Sequence, residues 1–166
     1  ISPSTASKVQ HMLGMHRAGT FDMNTACAGF VTALDTGAKY IRADENYRNV
    51  MVIGAYAMSK YLNMHDKKTV TLFADGAGAA ILQASDEPGR GWLGSQLITK
   101  GEYYAHMGIY GGGSCHPITR ESVEAGEHLL QFVHKFPKTL NPEMWSEMAR
   151  HLCQKTGVEC KDVDHF

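Results

Sequence analysis

The pairing of two segments constrains this chain most. From Gly29 the apolar residues Phe30, Val31, Leu34, Ala38 and Ile41 recur at three- and four-residue steps, which predicts an amphipathic helix. The charged stretch Arg42-Ala43-Asp44-Glu45-Asn46 closes it, and Asn49-Val50-Met51-Val52-Ile53-Gly54 follows as a short, nearly continuous apolar strand. Such a strand belongs in a sheet covered on both faces. Thr69 to Phe73 reads as a second strand, Asp75-Gly76-Ala77-Gly78 as a tight turn, and Ala79 to Gln83 as a third strand. Strand, helix, strand and hairpin in this order predict a layered α/β domain.

Around this centre, Ser4 to Leu13 reads as a short helix stopped by Gly14. Pro88-Gly89-Arg90-Gly91 marks a boundary, beyond which Trp92 to Thr99 is expected to begin a second sheet. A glycine-bearing loop containing Gly111-Gly112-Gly113-Ser114 comes next, and then helices over roughly Glu121 to Phe136 and Pro142 to Thr156. Val158 to Phe166 reads as the lead-in to a strand at which the chain stops. The chain does not begin with Met, which suggests a start inside a longer product.

With 166 residues, 43% of them hydrophobic, the chain can bury one real core. The balance of 16 basic against 17 acidic residues excludes a field that draws nucleic acid or an anionic membrane. No apolar run is long enough for a transmembrane helix. Cysteines at 27, 115, 153 and 160 are too few and unevenly spaced for a disulfide scaffold, and a cytoplasmic, reducing setting is expected.

Cys27 is the leading candidate for chemistry. It lies in Asp22-Met23-Asn24-Thr25-Ala26-Cys27-Ala28-Gly29-Phe30, where an extended piece ends in small residues and a helix begins. A thiolate at a helix N-terminus is stabilised by free backbone N–H groups and by the helix dipole. Ala26, Ala28 and Gly29 leave room for a substrate arm. A buried, inert cysteine fits the local sequence as well.

Other groups carry weaker signals. Asp75-Gly76-Ala77-Gly78-Ala79-Ala80 lacks the glycine spacing of a dinucleotide fingerprint and is followed by a strand, so a hairpin turn is the simpler reading. Cys115, His116, His151, Cys153, Cys160 and His165 offer soft ligands but not the spacing that builds half a zinc site, and no metal is expected. His128 and His134 read as helix residues without chemistry. The loop from Gly111 to Pro117 could line a pocket or simply face solvent. Lys67 and Lys68 could meet a phosphate or serve solubility.

The blocks Phe21 to Phe30, Val50 to Gly54 and Phe73-Ala74-Asp75-Gly76-Ala77-Gly78-Ala79-Ala80-Ile81-Leu82 together resemble the central part of a β-ketoacyl-acyl-carrier-protein synthase III, of the thiolase-like superfamily. The likeness is strong over Ser4 to Ser85 and weaker to Phe166. It implies a thiolase-like layered α/β/α fold, here incomplete, with residues 1–88 in the first half and 89–166 starting the second. It implies that Cys27 accepts an acyl group from coenzyme A as a thioester, which is then condensed with a malonyl thioester. Phe73 matches a residue near the acyl pocket, Lys67 falls near a coenzyme A nucleotide contact, and Gly76 and Gly78 match a structural turn.

The family's catalytic histidine and asparagine, and a glycine supplying an oxyanion donor, lie in its second half. His165 sits inside the lead-in strand and is not that histidine. The isolated chain is therefore expected not to condense anything. The resemblance further implies no permanently bound cofactor, acyl-CoA and acyl carrier protein as partners, and a homodimer, with additional chains supplying missing segments as one arrangement. The alternative is a non-catalytic thiolase-like subunit that stabilises a catalytic partner.

Overall fold

The computed structural model describes residues 2–165. The chain forms two compact units, Ile1–Gly54 with Ala79–Asp86, and Ala55–Gly78 with Glu87–Phe166.

In the first unit, α1 (Thr5–Met12) begins at Ser4, whose hydroxyl accepts from the Ser7 amide at 3.2 Å. The carboxylate of Asp22 takes the next free donors, the amides of Thr5 and Ala6, each at 2.8 Å. Two otherwise orphaned N–H groups at the positive end of the helix thus meet one negative side chain. Helix α2 (Gly29–Ala43) follows the predicted bounds and buries Thr32, Asp35, Gly37 and Ala38. Asp35 is only 3% exposed and pairs with the exposed Lys39 one turn on, at 2.5 Å.

Strands β1 (Asn49–Ala57) and β2 (Asp75–Gln83) make a two-stranded sheet. At its end the Ala84 amide donates to the Arg48 carbonyl at 2.8 Å. The helix meets the sheet at Gly37, where a Cβ would lie 3.0 Å from both Val50 Cγ1 and Leu82 Cδ1. A side chain here requires Val50 or Leu82 to give way by a few tenths of an ångström. Coverage of both faces of β1 is not observed. Val52 is buried, whereas Ile53 beside it is 40% exposed, because the strand's alternation turns Val52 and Ile53 to opposite faces.

In the second unit the sequence expectations need several corrections. Residues 69–73 are not a strand. Asp66 caps the short helix α3 (Lys67–Val70), its carboxylate accepting from the Lys68 amide at 3.0 Å, and the Val70 amide closes onto the Asp66 carbonyl at 3.0 Å. The β-branched run Thr69-Val70-Thr71 favours a strand by propensity, but the aspartate cap overrides it over so short a span. Gly76 and Gly78 form no turn. Both lie inside β2, which is continuous from Asp75, and a Cβ on either would meet nothing within 4 Å.

The helix expected over 121–136 is limited to α4 (Arg120–Glu124). Thr119 and Ser122 form a reciprocal capping box, and Gly126 at φ 74° then turns the chain. Beyond it β4 (Gln131–Phe132) pairs antiparallel with β3 (Met107–Gly108), in the register Met107 to Phe132 and Gly108 to Gln131. Residues 92–99 form no strand but hold to the end of α5 (Leu140–Thr156): Lys155 Nζ donates to the Ser95 carbonyl at 2.9 Å. The strand lead-in expected over 158–166 is a 3₁₀ turn at Cys160–Asp162, and Phe166 lies outside the described residues. Residues 87 onward belong to a compact unit with its own sheet and a 17-residue helix. No described helix is long and apolar enough to cross a membrane.

Candidate active site at Cys27

The segment leading to Cys27 is fastened step by step. Asp22 ties its start to α1 through the Thr5 and Ala6 amides. Those two amides hold the Asp22 carboxyl below the usual carboxylate range. Asn24 Oδ1 then accepts from the Ala26 amide at 2.9 Å, a local side-chain turn that bends the backbone. Ala26 sits at φ 48°, a left-handed conformation that disfavours a residue with a Cβ. Cys27 occupies the middle of the 3₁₀ turn Ala26–Ala28, closed by the Ala28 amide on the Thr25 carbonyl at 3.1 Å.

Behind the turn, Thr32 on the buried face of α2 links both sides. Its hydroxyl donates to the Ala28 carbonyl at 2.9 Å and accepts from the Thr25 hydroxyl at 2.9 Å. The result is an exposed thiol on a braced loop. Helix α2 starts two residues later at Gly29, its N-cap Ala28 brings no side-chain acceptor, and a Cβ at Gly29 would meet nothing within 4 Å. Uncapped helix amides favour a negative group, and the open space at Gly29 leaves room for a substrate. An inert, buried cysteine does not fit this exposure. The signal that sequence reading missed is Ala26: Asn24 two residues earlier is the side chain that makes its left-handed turn possible.

The other candidates lie in the second unit. Lys67 is exposed and opens α3. Phe73 is half-buried and packs on Phe132 at a centroid distance of 6.4 Å. Beside it Asp75, read from the sequence as part of a turn, starts β2. It accepts from the Ser59 amide at 2.7 Å and the Ser59 hydroxyl at 2.5 Å, and these bonds lower its carboxyl below the ordinary value. The 111–117 loop is braced rather than loose: Gly112 and His116 form a bridge, and His116 Nε2 lies 2.8 Å from Glu127 Oε2. His128 and His134 are not helical, and the His134 ring lies tilted against that of His106 at a centroid distance of 5.2 Å. Among the described residues no three His, Cys, Asp or Glu side chains cluster to hold a metal ion.

With this geometry in hand, similarity to known proteins becomes specific. The fold is that of thiolase-like condensing enzymes: the chain superposes on the 3-oxoacyl-[acyl-carrier-protein] synthase III of Aquifex aeolicus with a TM-score of 0.75 and 27% identity, over 97% of this chain and 47% of that one. Within that class the likeness is to synthase III. Residues 21–101 match the 3-oxoacyl-[acyl-carrier-protein] synthase III family. The chain is 35% identical to the β-ketoacyl-[acyl-carrier-protein] synthase III of Chlorobium luteolum over 97% of its length and 49% of that protein. It is 39% identical to the 3-oxopimeloyl-[acyl-carrier-protein] synthase of Rhodothermus marinus, again over 97% of this chain and 46% of the relative.

The chain is thus homologous to the β-ketoacyl synthases III and spans about half the length of the curated relatives it matches. One expectation changes. The likeness is not confined to a central part that fades after Ser85 but runs through nearly the whole chain, and the thiolase-like fold that the sequence suggests is incomplete here is instead matched over 97% of the chain.

Proposed function

We propose that this chain serves acyl transfer of the synthase III type, with Cys27 as the acyl acceptor. The observation that carries the reading is the exposed Cys27 thiol on a braced turn ahead of an uncapped 15-residue helix. In the first step the Cys27 thiolate attacks the carbonyl carbon of an acyl-CoA. A new sulfur–carbon thioester bond forms, the bond to coenzyme A breaks, and coenzyme A leaves as its thiolate, which takes up a proton from water. In the second, a malonyl thioester loses carbon dioxide, the resulting carbanion attacks the acyl carbon, and Cys27 departs as thiolate. Backbone N–H groups at the start of α2 favour negative charge on the sulfur at both stages.

In this reading no cofactor is held permanently and coenzyme A thioester is substrate. Residues 1–88 carry the nucleophile and 89–166 belong to the other thiolase-like half. Lys67 is the candidate for a coenzyme A nucleotide contact and Phe73 for a contact with the acyl chain. Acyl carrier protein is the expected donor of the malonyl group, and a homodimer the expected assembly. Condensation also needs a proton donor or acceptor and oxyanion donors, and Cys27 makes no side-chain hydrogen bond among the described residues. We therefore expect the 166 residues by themselves to accept an acyl group without completing condensation.

The test is a two-stage assay on the purified protein with acetyl-CoA and malonyl-acyl carrier protein. Release of coenzyme A without the malonyl donor, lost in Cys27→Ala and kept in Cys115→Ser, supports the proposal. Unchanged release in Cys27→Ala refutes it.

A further inference from the structure

Two thiols outside the candidate active site stand closer together than packing alone requires. Cys153 lies near the end of α5 and Cys160 opens the following 3₁₀ turn, with their Sγ atoms 2.8 Å apart. The backbone between them is arranged for this meeting. Thr156 Oγ1 bonds back to the Leu152 carbonyl at 2.8 Å, Gly157 at φ 74° ends the helix, and the Asp162 amide closes the 3₁₀ turn onto the Glu159 carbonyl at 2.9 Å. The sulfur separation exceeds a disulfide bond of ~2.0 Å by only about 0.8 Å, so closure asks for side-chain rotation rather than a new backbone path.

We propose that Cys153 and Cys160 form a reversible dithiol–disulfide pair that exchanges with a low-molecular-weight disulfide of the glutathione type. Their accessibilities assign the order of events. Cys160 is exposed and Cys153 is half-buried. Both cysteines line one surface groove together with Arg150 and Glu159. The Cys160 thiolate attacks one sulfur of the reagent, a mixed disulfide forms at Cys160, and the first small thiol leaves. Cys153, losing its proton, attacks the Cys160 sulfur, closes the protein disulfide and expels the second small thiol.

In balance, two protein thiols give up two electrons and two protons, and one reagent disulfide becomes two thiols. The hydrogen bond with Cys160, followed by burial, pushes the Cys153 thiol above its ordinary range, which disfavours Cys153 as the first attacker. No third metal-ligating side chain joins the two sulfurs among the described residues, so a metal site does not compete for them. The inference is independent of the role given to Cys27.

The protein is equilibrated in glutathione buffers from fully reduced to fully oxidised, acid-quenched, alkylated, digested and analysed by mass spectrometry. The expected result is a linked Cys153–Cys160 species that accumulates with oxidation and disappears in dithiothreitol, while Cys115 forms no protein disulfide. Cys153→Ser is expected to trap glutathione on Cys160 at a level several-fold above that of the wild type. Full alkylation of both cysteines in wild type at the oxidising end overturns the proposal, as does equal trapping on Cys160 with and without Cys153.

Discussion

Thr25 donates its hydroxyl proton to the Thr32 oxygen across 2.9 Å, and the turn bracketed by these two residues carries Cys27. The same Thr32 hydroxyl reaches the Ala28 carbonyl, so one buried side chain fixes both ends of the nucleophile's loop. Thr32→Val keeps the shape and removes both bonds. We expect a loss of about 1–2 kcal/mol in urea unfolding, together with slower acylation of Cys27. An unchanged unfolding midpoint would show that the hydroxyl does not brace the turn.

Ala26 provides a second handle on this loop. Its φ of 48° is tolerated by a small side chain and penalised for a β-branched one. Ala26→Val is expected to cost about 1–3 kcal/mol. Ala26→Gly should remain close to wild type, because relief of the left-handed conformation is offset by glycine's greater freedom in the unfolded chain. Denaturant curves of the two variants decide the matter, and equal stability of the two contradicts the assignment.

Gly37 tests the packing of α2 on its sheet. Ala at this position gains about 1 kcal/mol of helix propensity, yet its Cβ meets Val50 and Leu82 at 3.0 Å, so Gly37→Ala should lie near neutrality. Gly37→Val adds two more methyl groups in the same space and is expected to destabilise by about 1–3 kcal/mol. Thermal unfolding that leaves Gly37→Val at the wild-type midpoint would argue against this contact.

Asp22 makes the fold sensitive to acid. Its carboxyl is held below the ordinary range by the Ala6 and Thr5 amides, so it binds a proton less readily folded than unfolded. The stability it contributes is therefore present above its unfolded pKa and lost as pH falls through its lower folded value. Asp22→Asn should reduce stability at neutral pH and flatten the acid limb of the stability curve. A parallel shift of the whole curve, with no change in its acid slope, would remove the carboxylate from the account.

What the sequence made legible and what it hid follow from the range of the interactions involved. Helix α2 and the emergence of Cys27 just before it could be read because the apolar periodicity from Phe30 to Ile41 and the small residues around Cys27 are local signals. Residues 69–73 were misread because Thr69, Val70 and Thr71 favour a strand individually, whereas a single aspartate, Asp66, caps them into a helix turn. Gly76 and Gly78 suggest a turn by composition, but their place is set by pairing of β2 with β1. The predicted helix after Glu121 ignored Gly126, whose left-handed backbone ends it. The clasps made by Asp22 on Thr5 and by Asp75 on Ser59 join residues 16–17 apart, and no local pattern announces them.

The central claim is that Cys27 accepts the acyl group. Its most direct measurement is the intact mass of the protein after brief incubation with acetyl-CoA, followed by location of the adduct in a digest. The account predicts one acetyl group on Cys27, removable by hydroxylamine as a thioester is, absent from Cys27→Ala and retained in Cys115→Ser. An acetyl group that persists at full level in Cys27→Ala, or a folded wild-type protein that takes up none, would contradict it.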